Sequence, residues 1–71
     1  TVQRYKINLI VGKKIKRIRK ENKLSQEEVA DKAGIHLTTF GRIERGEANP
    51  PVQTLYKIAQ ALKKSMKELF G

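Results

Sequence analysis

The stretch GIHLTTFGRIERGE, residues 34–47, carries side chains that could recognise a ligand chemically. Turned as a helix at 100° per residue, it directs Phe40 and Ile43 inward, and Thr38, Arg42 and Arg45 outward. The fork of an arginine can donate two hydrogen bonds to O6 and N7 of guanine, the commonest base-specific contact to DNA. Arg42 at the middle of this outward face is therefore a candidate reader of a base edge.

Other residues of the same segment extend this outward face. Leu37 lies at one edge of it, where Leu37 and Thr38 could contact a thymine methyl group or a base edge. Gly41 also falls on the outward face, although a glycine inside a helix costs roughly 1 kcal/mol relative to alanine. We expect this glycine to permit close approach of DNA; the alternative is a surface position under little constraint. The start of the helix, near His36, favours a phosphate.

Composition excludes most other chemistry. The chain of 71 residues has no cysteine, one histidine and seven acidic residues. Disulfides and thiolate metal sites are therefore absent, and little material remains for another metal site or for a catalytic pair. One glycine in RGEANP cannot form a phosphate-binding loop. No apolar run approaches the roughly 20 residues of a membrane span. We expect no catalytic residue, metal, cofactor, small-molecule effector or membrane partner, and a cytoplasmic, nucleoid-associated protein.

The positive charge is concentrated at one end of the sequence. The net charge is +9, and residues 1–23 contribute nine Lys or Arg and one Glu, whereas residues 24–71 contribute seven and six acids. Segments of this kind attract polyanions. Lys13 and Lys16 point away from the apolar face of the first predicted helix and are candidate phosphate contacts. A lysine-rich helix kept basic for solubility is the alternative explanation.

Periodicity and capping signals predict five short helices and no strand. The first covers about 8–22. The second begins at a capping box, Ser25 with Glu28, and ends at Gly34. The third opens around His36, runs to Arg45 and ends at Gly46 in the same way. Pro51 is expected in the first turn of the fourth helix, and Ser65 with Glu68 forms a second capping box before the fifth. The predicted core residues are Val11, Ile15, Ile18, Val29, Ala30, Ala33, Ile35, Phe40, Ile43, Val52, Leu55, Ile58, Ala59, Leu62, Met66, Leu69 and Phe70.

Residues 26–45 form one unit of helix, glycine turn and helix. Ala30 is small where the two helices must cross, and Gly34 makes the turn. Two helices joined in this way form a helix-turn-helix, whose second helix can lie in the major groove of DNA. The fold class predicted is all-α, with residues 8–71 as one DNA-binding domain. Residues 1–7 are an N-terminal extension, either flexible or reaching the DNA backbone through Arg4 and Lys6.

The sequence LSQEEVADKAGIHLTTFGRIERGEANPPVQTLYKIAQAL resembles the phage repressor and Cro-like (XRE) helix-turn-helix family over about residues 9–70. The resemblance implies the lambda-repressor-like bundle of five short helices. It gives Gln26 the role of a phosphate contact. It assigns base reading to Leu37, Thr38 and Arg42, with His36 and Gly41 beside them. The family commonly has a polar residue where Leu37 stands, so readout there is expected to be apolar.

The resemblance also implies a partly buried pair, Arg19 with Glu44, that ties the first helix to the recognition helix. The candidate phosphate contacts are then Gln26, Arg45, His36, Arg19, Lys13 and Lys16. The function implied is a repressor or controller of transcription, bound as a homodimer to a near-palindromic operator on double-stranded DNA. Leu69 and Phe70, near the chain end, are the candidate dimer contacts. A protein-interaction, antitoxin or adaptor module of the same fold is the alternative.

Overall fold

The computed structural model describes the backbone of residues 2–70 and the side chains of residues 6–70. Within this range the chain forms five helices and no strand, as the sequence predicted. The helices are α1 (Val2–Glu21), α2 (Gln26–Ala33), α3 (Leu37–Glu44), α4 (Val52–Ala61) and α5 (Met66–Phe70). No helix in this range is long and apolar enough to cross a membrane.

Helix α1 starts about six residues earlier than predicted. Residues 2–7 continue it as regular helix instead of forming a separate extension. Thr1 and the side chain of Arg4 lie outside the described residues, whereas Lys6 is exposed on α1, so the predicted contact of Arg4 and Lys6 with the DNA backbone stays a prediction.

One core joins all five helices. The largest fully buried side chains come from each of them in turn: Ile15, Val29, Phe40, Ile58, Leu62 and Leu69. Each such burial stabilises the fold by about 1.5–3 kcal/mol relative to exposure. Helix α3 packs against α1 and α2, while α5 packs against α1 and α4. The recognition helix is therefore held on one side of α1, and the last helix on another.

The turn between α2 and α3 is formed as the sequence predicted. Both halves of the capping box are present: the Glu28 N–H donates to Ser25 Oγ (3.0 Å), and the Ser25 N–H donates to Glu28 Oε1 (2.8 Å). The hydrogen bond that the Ser25 backbone N–H donates to the Glu28 carboxylate is the main reason why the pKa of Glu28 lies below its usual 4.5. Gly34 ends the helix in the left-handed region at φ 70°, where glycine has no steric cost.

A glycine in the left-handed region also follows α3, two residues after its last residue, Glu44. Gly46 has φ 76°, its N–H donates to the Ile43 carbonyl, and the Glu47 N–H donates to the Arg42 carbonyl. These two bonds define a Schellman motif. Lys23 and Lys63, at φ 59° and 60°, perform this role after α1 and α4 without being glycine.

Three predictions around α4 and α5 were wrong in detail. Pro51 is the N-cap of α4 rather than a residue of its first turn. Val52, predicted in the core, is 72% exposed because it lies at the helix start, beyond the packed layer. At Ser65 the box is one-sided: Glu68 Oε2 accepts from both the Ser65 N–H (2.8 Å) and the Ser65 hydroxyl (3.1 Å).

The two candidate dimer contacts near the chain end, Leu69 and Phe70, differ in burial. Leu69 is fully buried in the core, so it is unavailable to a partner. Phe70 is 51% exposed, so its prediction as a core residue was wrong. Adjacent residues of a helix point about 100° apart, and only one of the two can face α1 and α4. The prediction of Leu69 as a dimer contact was therefore wrong.

Candidate nucleic-acid interface

Helix α3 presents a polar surface on the side opposite its core contacts. Phe40 and Ile43 are buried, as predicted, and they fix the helix against the body of the protein. The exposed residues of the helix are Leu37, Thr38, Thr39 and Arg42. Arg45, the first residue after the helix, is exposed as well. Thr39 was not among the predicted site residues, although it stands beside Thr38 on the open surface.

Arg42 has the freedom that a base-reading arginine needs. Its Nη2 donates a long hydrogen bond of 3.4 Å to the Glu47 carbonyl, and the bond is exposed to solvent. A bond of this length is weak and easily exchanged. The guanidinium therefore remains near the surface of α3 and can be redirected to an acceptor pair on a ligand.

Arg45 is held by a local ion pair. Its Nε and Nη2 donate to the two carboxylate oxygens of Glu47 at 3.1 and 3.3 Å, and both side chains are more than half exposed. The hydrogen bond from Arg45 is the main cause that lowers the pKa of Glu47. A phosphate that binds Arg45 has to compete with this carboxylate, which an exposed pair allows at little cost.

Gly41 does not lie on the open surface, so the predicted exposure was wrong. It is buried, and a Cβ built there would stand 3.2 Å from Arg45 Nη1 and 3.9 Å from Gln26 Oε1. The helical wheel gave the correct direction, but it could not show that α2 and the Arg45 side chain cover this position. Gly41 is therefore a packing residue beneath Gln26 and Arg45, and its prediction as a base contact was wrong.

Arg19 and Glu44 form the expected pair, and it is buried. Arg19 Nε donates to Glu44 Oε2 at 2.6 Å and Nη2 donates to Oε1 at 3.2 Å. Arg19 Nη1 donates to the Leu24 carbonyl at 2.8 Å. The three guanidinium nitrogens are thus all engaged inside the protein, and the arginine is only 9% exposed. Arg19 is therefore structural, and its prediction as a phosphate contact was wrong.

Gln26 joins this network from the start of α2. Its Nε2 donates to Glu44 Oε1 at 2.8 Å. Because a carboxylate is an acceptor only, this bond fixes which end of the amide faces Glu44. The side chain is half-buried and held in one orientation. The first turn of α2, whose backbone N–H groups favour an anion, lies beside α3 through this contact.

The remaining predicted phosphate contacts lie at the start of α3 and on α1. His36 is the exposed N-cap residue of α3, and its side chain makes no capping hydrogen bond. Lys13 and Lys16 are exposed on α1. Lys16 follows Gly12 by four residues and so shares the side of α1 that meets α3. Lys16 and His36 therefore border the recognition helix, whereas Lys13 lies further around α1.

Two glycines that the sequence analysis did not assign to contacts determine how α1 crosses α3. A Cβ on Gly12 would stand 2.5 Å from the Ile43 carbonyl oxygen and 2.6 Å from that of Glu44. A Cβ on Gly46 would stand 2.6 Å from Leu9 Cδ2. For Gly12 the signal available in the sequence was a glycine inside a helix, which is unfavourable unless another backbone approaches closely.

The fold and this surface define a helix-turn-helix DNA-binding domain: the second helix of the unit is locked on its inner side and polar on its outer side. Comparison with known families agrees. The helix-turn-helix family HTH_3 matches residues 15–69. The chain belongs to this family, as the resemblance to phage repressors and Cro-like regulators indicated.

Individual relatives are regulators and controllers. An uncharacterised HTH-type transcriptional regulator, y4dJ, from Sinorhizobium fredii is 45% identical over 84% of this chain and 78% of its own length. The control protein C.SmaI of Serratia marcescens is 38% identical over 89% of this chain and 75% of its own. Among solved structures, the restriction-modification controller protein C.AhdI from Aeromonas hydrophila superposes with a TM-score of 0.87 at 32% identity, covering 89% of this chain and 96% of the other.

Proposed function

We propose that this protein is a sequence-specific regulator of transcription that inserts α3 into the major groove of double-stranded DNA. The observation that carries the proposal is the two-sided character of α3. Its inner side is fixed by Phe40, Ile43 and the buried Glu44, while Leu37, Thr38 and Arg42 stand exposed together. A reading helix must hold its base-contacting side chains in a fixed register, and this arrangement supplies that rigidity.

Each exposed residue has a defined chemical role in the proposal. Arg42 donates two hydrogen bonds to a guanine, and its loose bond to the Glu47 carbonyl is exchanged for them. Thr38 hydrogen-bonds a base edge, and Leu37, which is 46% exposed, packs on a thymine methyl group. These contacts specify sequence, whereas the phosphate contacts set position on the duplex.

The phosphate contacts flank the reading helix. Gln26 and the first backbone N–H groups of α2 bind one phosphate, oriented by the bond from Gln26 to Glu44. Arg45, His36 and Lys16 supply further sites on the margin of α3, and Lys13 supplies one further around α1. The net charge of +9 adds a salt-dependent attraction to any duplex. We place the protein in the cytoplasm with the nucleoid, acting as a repressor or controller, as a homodimer on a near-palindromic operator.

The experiment is selection from a randomised duplex pool at two salt concentrations, with wild type, Arg42→Ala and Arg17→Ala. Arg17 is the matched control: it is an exposed arginine of α1 that pairs weakly with Glu21 at 3.8 Å. We expect wild type to select a two-fold-symmetric motif. Arg42→Ala should reduce the discrimination between bases at one position of each half-site by about 1–3 kcal/mol. It should keep most of the dependence of affinity on salt concentration. Arg17→Ala should keep the motif.

A different result points to the alternative function. If no variant selects a motif and affinity only falls with salt, the charge provides non-specific binding alone. The exposed apolar residues, among them Ile7, Ile10 and Phe70, would then favour a protein-interaction or adaptor module. Relaxation by Arg17→Ala equal to that by Arg42→Ala would refute the role of Arg42 as the base reader.

A further inference from the structure

Glu47, the third residue after α3, bonds to both exposed arginines of the candidate interface. Its carboxylate oxygens accept from Nε and Nη2 of Arg45 at 3.1 and 3.3 Å, and its backbone carbonyl accepts from Nη2 of Arg42 at 3.4 Å. Exposed acids associated with α1, α2 and α5 bond instead to residues that are not predicted DNA contacts. Glu47 is therefore the exposed acid that acts directly on arginines proposed to meet DNA.

The backbone holds Glu47 in this place. Gly46, in the left-handed region at φ 76°, turns the chain back along α3, and the Glu47 N–H donates to the Arg42 carbonyl at 2.9 Å. In a Schellman motif this hydrogen bond fixes the residue after the glycine whatever its side chain. The carboxylate therefore starts from a fixed point beside α3, although the side chain itself is 54% exposed.

The carboxylate occupies the edge of Arg45 that is suited to phosphate. An arginine fork binds a carboxylate and a phosphate through the same two parallel N–H groups. The remaining nitrogen, Nη1, lies over Gly41, 3.2 Å from where a Cβ on that residue would stand. A phosphate that takes both parallel donors of Arg45 must therefore displace Glu47, whose carboxylate serves as an internal substitute for the phosphate.

Electrostatics of the free protein agree with this competition. The hydrogen bond from Arg45 is the main cause that lowers the pKa of Glu47, and the charges of Arg45 and Arg42 lower it further. The carboxylate is therefore ionised at neutral pH. Once Arg45 has moved to a phosphate, this carboxylate is left without its partner beside a polyanion, and like charges repel. Both the lost pair and the repulsion disfavour the complex with DNA.

We propose that Glu47 competes with DNA phosphate for Arg45 and thereby lowers the affinity of the protein for duplex DNA of any sequence. The net charge of +9 attracts the protein to every duplex, and an acid beside the reading helix weakens this sequence-independent part of binding. The base contacts of α3 are unaffected, so the selected sequence does not change. The inference rests on the proposed function for the role of Arg45 as a phosphate contact.

Fluorescence anisotropy tests the competition on two labelled duplexes, the selected motif and a scrambled sequence, at several salt concentrations. Glu47→Gln removes the charge but keeps the backbone carbonyl that accepts from Arg42. Glu21→Gln is the matched control, because it changes the net charge equally and its carboxylate pairs with Arg17 in the groove between α1 and α5.

We expect Glu47→Gln to bind both duplexes about two- to fivefold more tightly per bound copy, the range that an exposed ion pair contributes. The slope of log K against log salt should become steeper by about 0.9 per copy, since one more phosphate is neutralised. Glu21→Gln should show less than half of either change on a logarithmic scale. A gain for Glu47→Gln that does not exceed the gain for Glu21→Gln overturns the inference.

The Arg45→Ala background separates competition from simple repulsion. If Glu47 acts by holding Arg45, Glu47→Gln should gain less than half as much affinity, on a logarithmic scale, once Arg45 is absent. A gain of half or more in this background means that the carboxylate merely repels DNA, and it overturns the inference. Circular dichroism melting verifies that each variant is folded; if Arg45→Ala unfolds, Arg45→Met, which keeps an apolar stem over Gly41, replaces it.

Failure of this inference and failure of the proposed function give different results. A wild type that selects a motif, with no extra gain for Glu47→Gln, refutes the competition alone. A gain for Glu47→Gln on duplexes of any sequence, lost in the Arg45→Ala background and with no motif selected, refutes the sequence readout alone. Absence of binding to every duplex refutes both.

Discussion

Two buried glycines in helix interiors, Gly12 and Gly41, should respond oppositely to the same change to alanine. Each substitution adds about 1 kcal/mol of helix propensity, so the difference between them comes from what the new Cβ meets. At position 41 the neighbour is Arg45 Nη1 at 3.2 Å, the end of a flexible side chain that is 56% exposed. It can withdraw by a few tenths of an ångström, and we expect Gly41→Ala to raise the free energy of unfolding by about 0.5–1 kcal/mol.

At position 12 the neighbours are backbone atoms. The carbonyl oxygens of Ile43 and Glu44 stand 2.5 and 2.6 Å from the new Cβ, whereas ordinary contact begins near 3.4 Å. Helices α1 and α3 must separate by roughly 1 Å, which costs about 1–3 kcal/mol or more in a packed core. The buried Arg19–Glu44 pair crosses the same interface. The net expectation is a loss of about 2 kcal/mol, so that the two variants differ by about 3 kcal/mol.

Urea denaturation followed by circular dichroism at 222 nm measures both values, with the slope checked for two-state behaviour. In a domain of this size the difference corresponds to a separation in Tm of about 12–24 °C. If Gly12→Ala is as stable as wild type, the close crossing of α1 and α3 is refuted. If Gly41→Ala loses more than about 1 kcal/mol, Arg45 does not yield and the packing at position 41 is tighter than the exposure of Arg45 implies.

Three further predictions concern single side chains. Glu44→Ala should lose about 3–5 kcal/mol by leaving the guanidinium of its partner buried and unpaired, whereas the exposed carboxylate of Glu47 should contribute far less; equal Tm values would contradict the pairing. Lys63→Gly should raise the free energy of unfolding by about 0.5–1 kcal/mol by relieving the left-handed conformation, and unchanged stability in urea would argue against strain there. The lowered pKa of Glu28 means that its bond to Ser25 stabilises the fold above pH 4.5 and is lost as pH falls through the lower folded value. The stability difference between wild type and Glu28→Gln should therefore shrink between pH 7 and pH 3, and a difference independent of pH would exclude the carboxylate as its cause.

Local signals predicted the elements that carry local chemistry. The Ser25 capping box and the left-handed Gly34 are formed by residues within a few positions of one another, so the sequence specified the turn of the helix-turn-helix almost completely. The inward positions of Phe40 and Ile43 also followed from the 3.6-residue period. Much of the reading surface of α3 was thus accessible to sequence reasoning, because direction along a helix depends on the helix itself.

Features that depend on a second helix were the ones missed. Periodicity directed Gly41 outward correctly. Its cover comes from the Arg45 side chain four residues later and from Gln26, which the crossing of α2 with α3 brings over it. Gly12 was not assigned to a contact, because the carbonyls it approaches lie more than 30 residues away. Val52 fits the apolar period of α4 but stands at its exposed start. Apolar periodicity defines which side of one helix is apolar, and it contains no information about where another helix crosses that helix.

The carboxylate of Glu44 connects the packing of α1 and α2 with the position of α3, the helix proposed to read DNA. It accepts hydrogen bonds from Arg19 of α1 and from Gln26 of α2, while its own backbone belongs to α3. A single side chain thus fixes the angle of the reading helix and the orientation of the amide proposed to bind phosphate. Base contacts and phosphate contacts require a mutual register finer than an ångström to act together. We propose that this dependence is the reason for a buried charge in so small a core: an apolar pair of equal volume could stabilise the fold as well, but it would leave Gln26 without the acceptor that orients it.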